Sequence, residues 1–141
     1  MAKNDNVLEL YKIMVDSANK VTEWRQKSNE FFLAINSALI ATSTYLFDIY
    51  QTPTAPGIAA FGIILSVIWY ESVKSYSKLS SAKWKVVSEM EQREFKYPIF
   101  QMERKYYKEA RRRGNASVEK MVPLLFIVMY AIILIFWFKL L

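Results

Sequence analysis

The chain has 141 residues, 53% of them hydrophobic and 16% aromatic, with 23% charged and a net charge of +6. So apolar a composition with only 3 glycines excludes disorder, collagen-like structure and an ordinary soluble globule, provided the charges are segregated from the apolar part. The absence of Cys and His excludes disulfides, thiol chemistry, Cys/His zinc sites and His-based triads, and the positive balance suits anionic partners such as lipid headgroups or nucleic acid.

Residues 1–30 carry Val7, Tyr11, Met14, Ala18 and Val21 at 4-3-4-3 spacing, a heptad-like amphipathic stripe. Asn4 or Asp5 is a plausible N-cap. No Gly or Pro occurs before residue 52, which predicts one helix from about Asp5 through the first apolar stretch. The stripe suits either a coiled-coil seam between subunits or packing on a later segment of the same chain. These residues offer no short apolar run followed by a small-residue cleavage site, so the first span is expected to act as an uncleaved signal anchor.

The first expected span, 31–50, contains an uncharged run at 31–47. A helix needs about 17 to 25 apolar residues to cross the hydrocarbon core. Inside the run are Asn36, Ser37, Thr42, Ser43 and Thr44, with Asp48 near its outer end. Ser37, Thr44 and Asp48 share one helical face, with Asn36 and Ser43 beside them. Such groups must face protein or water rather than lipid, so they line a pore or make interhelical hydrogen bonds. If subunits form a ring, Asp48 becomes a circle of carboxylates at the outer mouth, able to attract cations; the alternative is an interfacial carboxylate hydrated at the membrane surface or bonding the turn near Thr52. Ala34, Ala38 and Ala41 permit close helix–helix approach.

Pro53, Pro56 and Gly57 mark an external turn at 51–56, and the second span follows at 57–70, with small residues Ala59, Gly62 and Ser66 on one face. No proline then intervenes until Pro98, so the second span is expected to continue into a connector, 71–120. Its packing stripe is read as Val73, Tyr76, Leu79, Trp84, Val87, Met90 and Phe95. Glu89, Glu91, Glu94 and Glu103 are interleaved with Lys85, Arg93 and Lys96 and read as solvated surface charge. A second connector helix is predicted at 99–113, ending at Gly114-Asn115. Its basic residues Lys105, Lys108, Arg111, Arg112 and Arg113 lie a few residues before the third span and suit lipid phosphates. Tyr106 and Tyr107 among them also suit nucleic acid, but the membrane-proximal position favours lipid, and no nucleic-acid partner is expected.

The third span, 121–138, is the most apolar, starts near Ser117 and Glu119, and tolerates Pro123 early in its course. Residues 139–141 form a short external C-terminus. Trp24, Tyr45, Tyr50, Trp69, Tyr70 and Trp137 fall near span ends, as an aromatic belt would. Lys and Arg number 5 in residues 1–30 and 13 in 71–120, against none in 51–56. The positive-inside rule therefore puts the N-terminus and connector in the cytoplasm and the C-terminus outside. The fold expected is an all-α integral membrane protein, with three transmembrane helices and long cytoplasmic helical extensions, assembled as a homo-oligomeric ring. The chain contains no P-loop, dinucleotide fingerprint or metal-ligand spacing, so neither an enzyme nor a cofactor is expected.

Two blocks carry a family likeness: RQKSNEFFLAINSALIA at 25–41, and WYESVKSYSKLSSAKWKVVSEMEQ at 69–92, followed by YPIFQMERKYYKE. The Arg25, Asn29, Glu30, Phe31, Phe32 entry and the Lys78-Leu79, Ala82-Lys83-Trp84 stretch are its most specific parts. Over roughly residues 7–135 the chain resembles the RipA-type family of small octameric bacterial membrane proteins. The resemblance implies a homo-octamer of the bacterial inner membrane with cytoplasmic helices, linked to stress adaptation or intracellular growth. The arrangement is also similar to the SLATT class of pore-forming effectors, which usually have two spans before the cytoplasmic helix. Neither likeness brings catalytic residues. Two functions are therefore expected to compete: an oligomeric scaffold or sensor, and an oligomeric pore or ion channel with a polar first-span lining.

Overall fold

Consecutive described helices are joined by segments that each contain a proline or glycine. The computed structural model describes residues 2–50, 55–95, 97–110 and 115–140, with side chains at 6–45, 56–95, 97–103, 105–106 and 118–137. Its elements are α1 (Ala2–Tyr50), α2 (Ala55–Glu94), α3 (Ile99–Ala110) and α4 (Asn115–Leu140). With no internal Gly or Pro, α1 runs for 49 residues, about 74 Å at the helical rise. Pro56 occupies the first turn of α2, where its missing N–H is not needed. Pro98 cannot continue α2, yet its carbonyl accepts the Met102 N–H at 3.1 Å and so opens α3. Pro123 lies inside α4, which continues past it, and its ring is fully buried.

The chain divides into two compact units. Unit 1 comprises Met1–Arg25 and Ser75–Asn115; unit 2 comprises Gln26–Lys74 and Ala116–Leu141. Helices α1 and α2 therefore contribute to both.

In unit 1 the first helix turns Val7, Tyr11, Met14, Ala18 and Val21 inward, the last two almost completely buried. Val87 of α2 is fully buried as well, Tyr11 packs on Phe95 with ring centres 4.9 Å apart, and Trp84 packs on Phe100 at 5.3 Å. The α2 stripe departs from the sequence reading in one place. Leu79 is exposed, and the inward row passes through Tyr76, Ser80, Lys83 and Val87 instead. Lys83 fits because its stem lies along the helices while its ammonium donates to the Ser17 hydroxyl at 2.6 Å.

In unit 2 the buried residues described are Asn36, Ala59, Gly62, Ser66, Trp69, Val73, Pro123 and Tyr130. Among the described residues two helices are long and apolar enough to cross a membrane: Pro56–Glu94 and Val118–Trp137. Of the apolar window in the second, only 11% is buried. A soluble protein hides such a helix in its core; here the apolar surface stands open, as a lipid-facing helix requires. The remaining expected span, 31–50, is the last part of α1. Its side chains at 46–50, and the turn residues 51–54, lie outside those described.

Candidate functional site

Each unit closes around one polar side chain. In unit 2 it is Asn36, which has no exposed surface. Its amide nitrogen donates to the Phe32 carbonyl one turn back at 2.8 Å. Its Oδ1 lies 3.1 Å from the Ser66 hydroxyl, which also lies 2.8 Å from the Gly62 carbonyl, so one proton is shared between two acceptors. The Asn36 backbone carbonyl accepts the Tyr130 O–H at 3.1 Å, bringing α4 onto α1. One face of α2 makes this possible. A Cβ on Gly62 would run into the Tyr130 ring, so only glycine admits the aromatic side chain there. Toward the N-terminal end of the α1 segment the same arrangement repeats in aromatic form. Trp69 donates its indole N–H to Asn29 Oδ1 at 2.9 Å, stacks on Phe32 at 5.9 Å and touches Phe126 at 5.8 Å.

Of the polar and small residues singled out in the spans, Asn36, Gly62 and Ser66 meet in this cluster, and Ala59 is buried one turn from Gly62. Ser43 is half-buried. Ser37, Ala34 and Ala38 are exposed, as is Thr44, whose hydroxyl donates to its own helix at the Ile40 carbonyl, 3.0 Å away. The Asp48 side chain lies outside the described residues. Sequence reasoning placed Trp69 in the aromatic belt and Asn29 in the family likeness, and it did not single out Tyr130, whose apolar run carries no mark of its partner.

In unit 1 the centre is Glu91, and here the reading of solvated surface charge is corrected. Glu89, Glu94 and Glu103 are exposed, but Glu91 is only 2% exposed. It stands one turn after buried Val87, so the helical face, not its charged sequence neighbours, sets its environment. Its Oε1 accepts the Tyr11 O–H at 2.8 Å and the Phe100 backbone N–H at 3.3 Å. Its Oε2 is buried with no hydrogen-bond partner among the described residues. Gln101 completes the corner, donating to the Ser88 carbonyl at 2.9 Å and accepting from Gln92 at 2.8 Å. Burial first, then the hydrogen bond to Glu91 and its negative charge, push the Tyr11 phenol up to about 12.

Lys105 on α3 is exposed; the Lys108 side chain and residues Arg111, Arg112 and Arg113 lie outside those described. Among the described residues no group of three or more Asp or Glu could hold a metal ion. What both centres do chemically is hold helices together: a neutral amide with its hydrogen-bonding groups occupied in unit 2, and a carboxylate joining three helices in unit 1.

No curated protein and no solved structure matches the chain. A family model does match, over residues 8–139, and on that evidence the chain belongs to the octameric membrane protein family (8xMP).

Proposed function

We propose that the protein works as a homo-octameric scaffold or sensor of the bacterial inner membrane. In this reading it has three spans, a cytoplasmic N-terminus and connector, an external C-terminus, and basic α3 side chains at anionic headgroups. The RipA-type likeness adds stress adaptation as the setting. The family's octameric description and the exposed apolar face of α4 support a membrane assembly. The observation that carries scaffold over channel is the burial of Asn36. Asn36, the one buried polar side chain described in the first span, is bonded within its own chain to Phe32 and Ser66, with Tyr130 on its backbone carbonyl, and is not free to line a lumen. Lipid-facing exteriors and internally satisfied polar cores are what a structural membrane assembly needs.

The test is native mass spectrometry of the detergent-solubilised protein, together with ion flux in liposomes. An octamer without flux is the expected result. Sustained cation flux that changes in Asp48→Asn would replace this reading with a pore.

A further inference from the structure

Unit 1 carries exposed apolar side chains on two sides, and its internal contacts fix which sides these are. Tyr11 and Glu91 meet on one side of the α1–α2 pair, and α3 packs there through Phe100 on Trp84 and Gln101 on Ser88. Ser17 and Lys83 meet on the other side. At 3.6 residues per turn, Ser17 lies about 120° around α1 from Tyr11, and Lys83 about 80° around α2 from Glu91. Leu10 and Ile13 stand two turns and one turn before Ser17, while Leu79 and Val86 flank Lys83 by one turn each. These four share the side away from α3, and all are exposed, Ile13 by 57%. On α3, Ile99, Met102 and Tyr106 recur at 3-4 spacing on the face opposite Phe100 and Gln101. Ile99 and Tyr106 are 67% and 64% exposed, so the main apolar row of α3 looks away from its own chain.

Exposed apolar surfaces of this kind mark interaction sites. A membrane surface covers only one side of a unit, and the patch beside Ser17 is bordered by the Asp16–Lys20 ion pair, whose two side chains are open to water. A neighbouring copy covers both sides, because a ring with cyclic symmetry joins two different faces. The family is octameric, and in a closed ring of eight each copy is turned about 45° from the next. The two contact faces of a copy must then look in nearly opposite directions, as the α3 row and the α1–α2 patch do. Their forms also suit each other, since an i, i+3, i+7 row of one helix docks in an apolar groove between two others. We infer that the Ile99–Met102–Tyr106 row of one copy seats between Leu10–Ile13 and Leu79–Val86 of the next, joining the unit 1 regions head to tail. This rests on the octameric reading above and adds where the copies meet.

The chain has no cysteine, so Met102→Cys can be labelled in membranes with a benzophenone maleimide and illuminated. The expected product is a ladder of cross-linked subunits, with adducts on peptides around Ile13 or Val86 of another copy. Ile13→Glu with Val86→Glu puts two carboxylates into the groove. Both positions are exposed in the single chain, so helix content by circular dichroism should hold while the ladder is lost. Native mass spectrometry before illumination reports the octamer independently. An octamer that gives no ladder, or a ladder that survives the double substitution, overturns the contact and leaves the octamer standing. So do adducts that join Met102→Cys to residues 99–106 of a second copy, since those would be face to face. Adducts to lipid alone would give the α3 row to the membrane and overturn the contact as well. A wild-type chain that is monomeric overturns both readings.

Discussion

The two units solve one problem, a polar group at a helix crossing, with different degrees of completeness among the described residues. Asn36 in unit 2 is neutral, and its side-chain nitrogen, side-chain oxygen and backbone carbonyl all have partners. Glu91 in unit 1 has one oxygen with two donors and the other with none among the described residues. The contrast follows from the surroundings each sequence supplies. Unit 2 is built from apolar runs, where hydrocarbon would leave a missing bond uncompensated. Unit 1 is built from amphipathic helices bearing many charges, where a carboxylate can be kept for the donors it gathers, at some cost in desolvation.

The sharpest way to break the comparison is to spoil the fit on the complete side. Gly62→Leu should destabilise unit 2 by about 3 kcal/mol, because the added side chain must displace the Tyr130 ring. Thermal melting in detergent would measure it, and Tyr130→Ala in the same chain should recover part of the loss. A normal or raised melting point in Gly62→Leu would mean that the aromatic ring does not sit on this glycine. Next in size is the incomplete side. Glu91→Ala strands the Tyr11 hydroxyl and the Phe100 amide, for about 2 kcal/mol. Hydrogen exchange at the Phe100 amide should then speed up roughly 30-fold, since every 1.4 kcal/mol is tenfold.

Tyr11→Phe should cost about 1 kcal/mol, and it carries a pH signature. The fold favours the neutral phenol, whose pKa is raised from 10.0 to about 12, so the folded state keeps its proton longer than the unfolded chain. The contribution is complete below pH 10 and is lost as pH rises toward 12. A helix-content titration over that range should show the loss in wild type and lack it in Tyr11→Phe. Smallest is Asn36→Ala, about 0.6 kcal/mol, the usual worth of a hydrogen bond between membrane helices. Ser66 keeps the Gly62 carbonyl and Tyr130 keeps the main-chain carbonyl, so melting should fall only slightly.

Much of the architecture was legible because it follows from punctuation and period. Pro53 falls between α1 and α2, Pro56 and Gly57 lie in the first turn of α2, Pro98 falls between α2 and α3, and the stripe from Val7 to Val21 names the inward side of α1. The misreadings share a cause. Leu79 belongs to the apolar stripe of the sequence, whereas the inward row through Ser80 and Lys83 follows helical phase, with the Lys83 ammonium held by Ser17. Glu91 reads as solvated beside Lys85, Arg93 and Lys96, but Lys85 and Arg93 are exposed while Glu91 is buried on another face of the helix. In the cluster around Asn36, the polar residue and the small face of α2 were both visible. Tyr130 was not, since an aromatic in a long apolar run looks the same whether it meets lipid or a glycine.

The Tyr130 contact also imposes an order on synthesis. Tyr130 leaves the ribosome 94 residues after Asn36, a delay of about 5 to 20 seconds at typical translation rates. During that interval α1 and α2 can already meet through Asn36 and Ser66, but the notch over Gly62 has no ring in it. The α1–α2 pair therefore waits with an open seat over Gly62, and α4, made after it, is the piece that closes it.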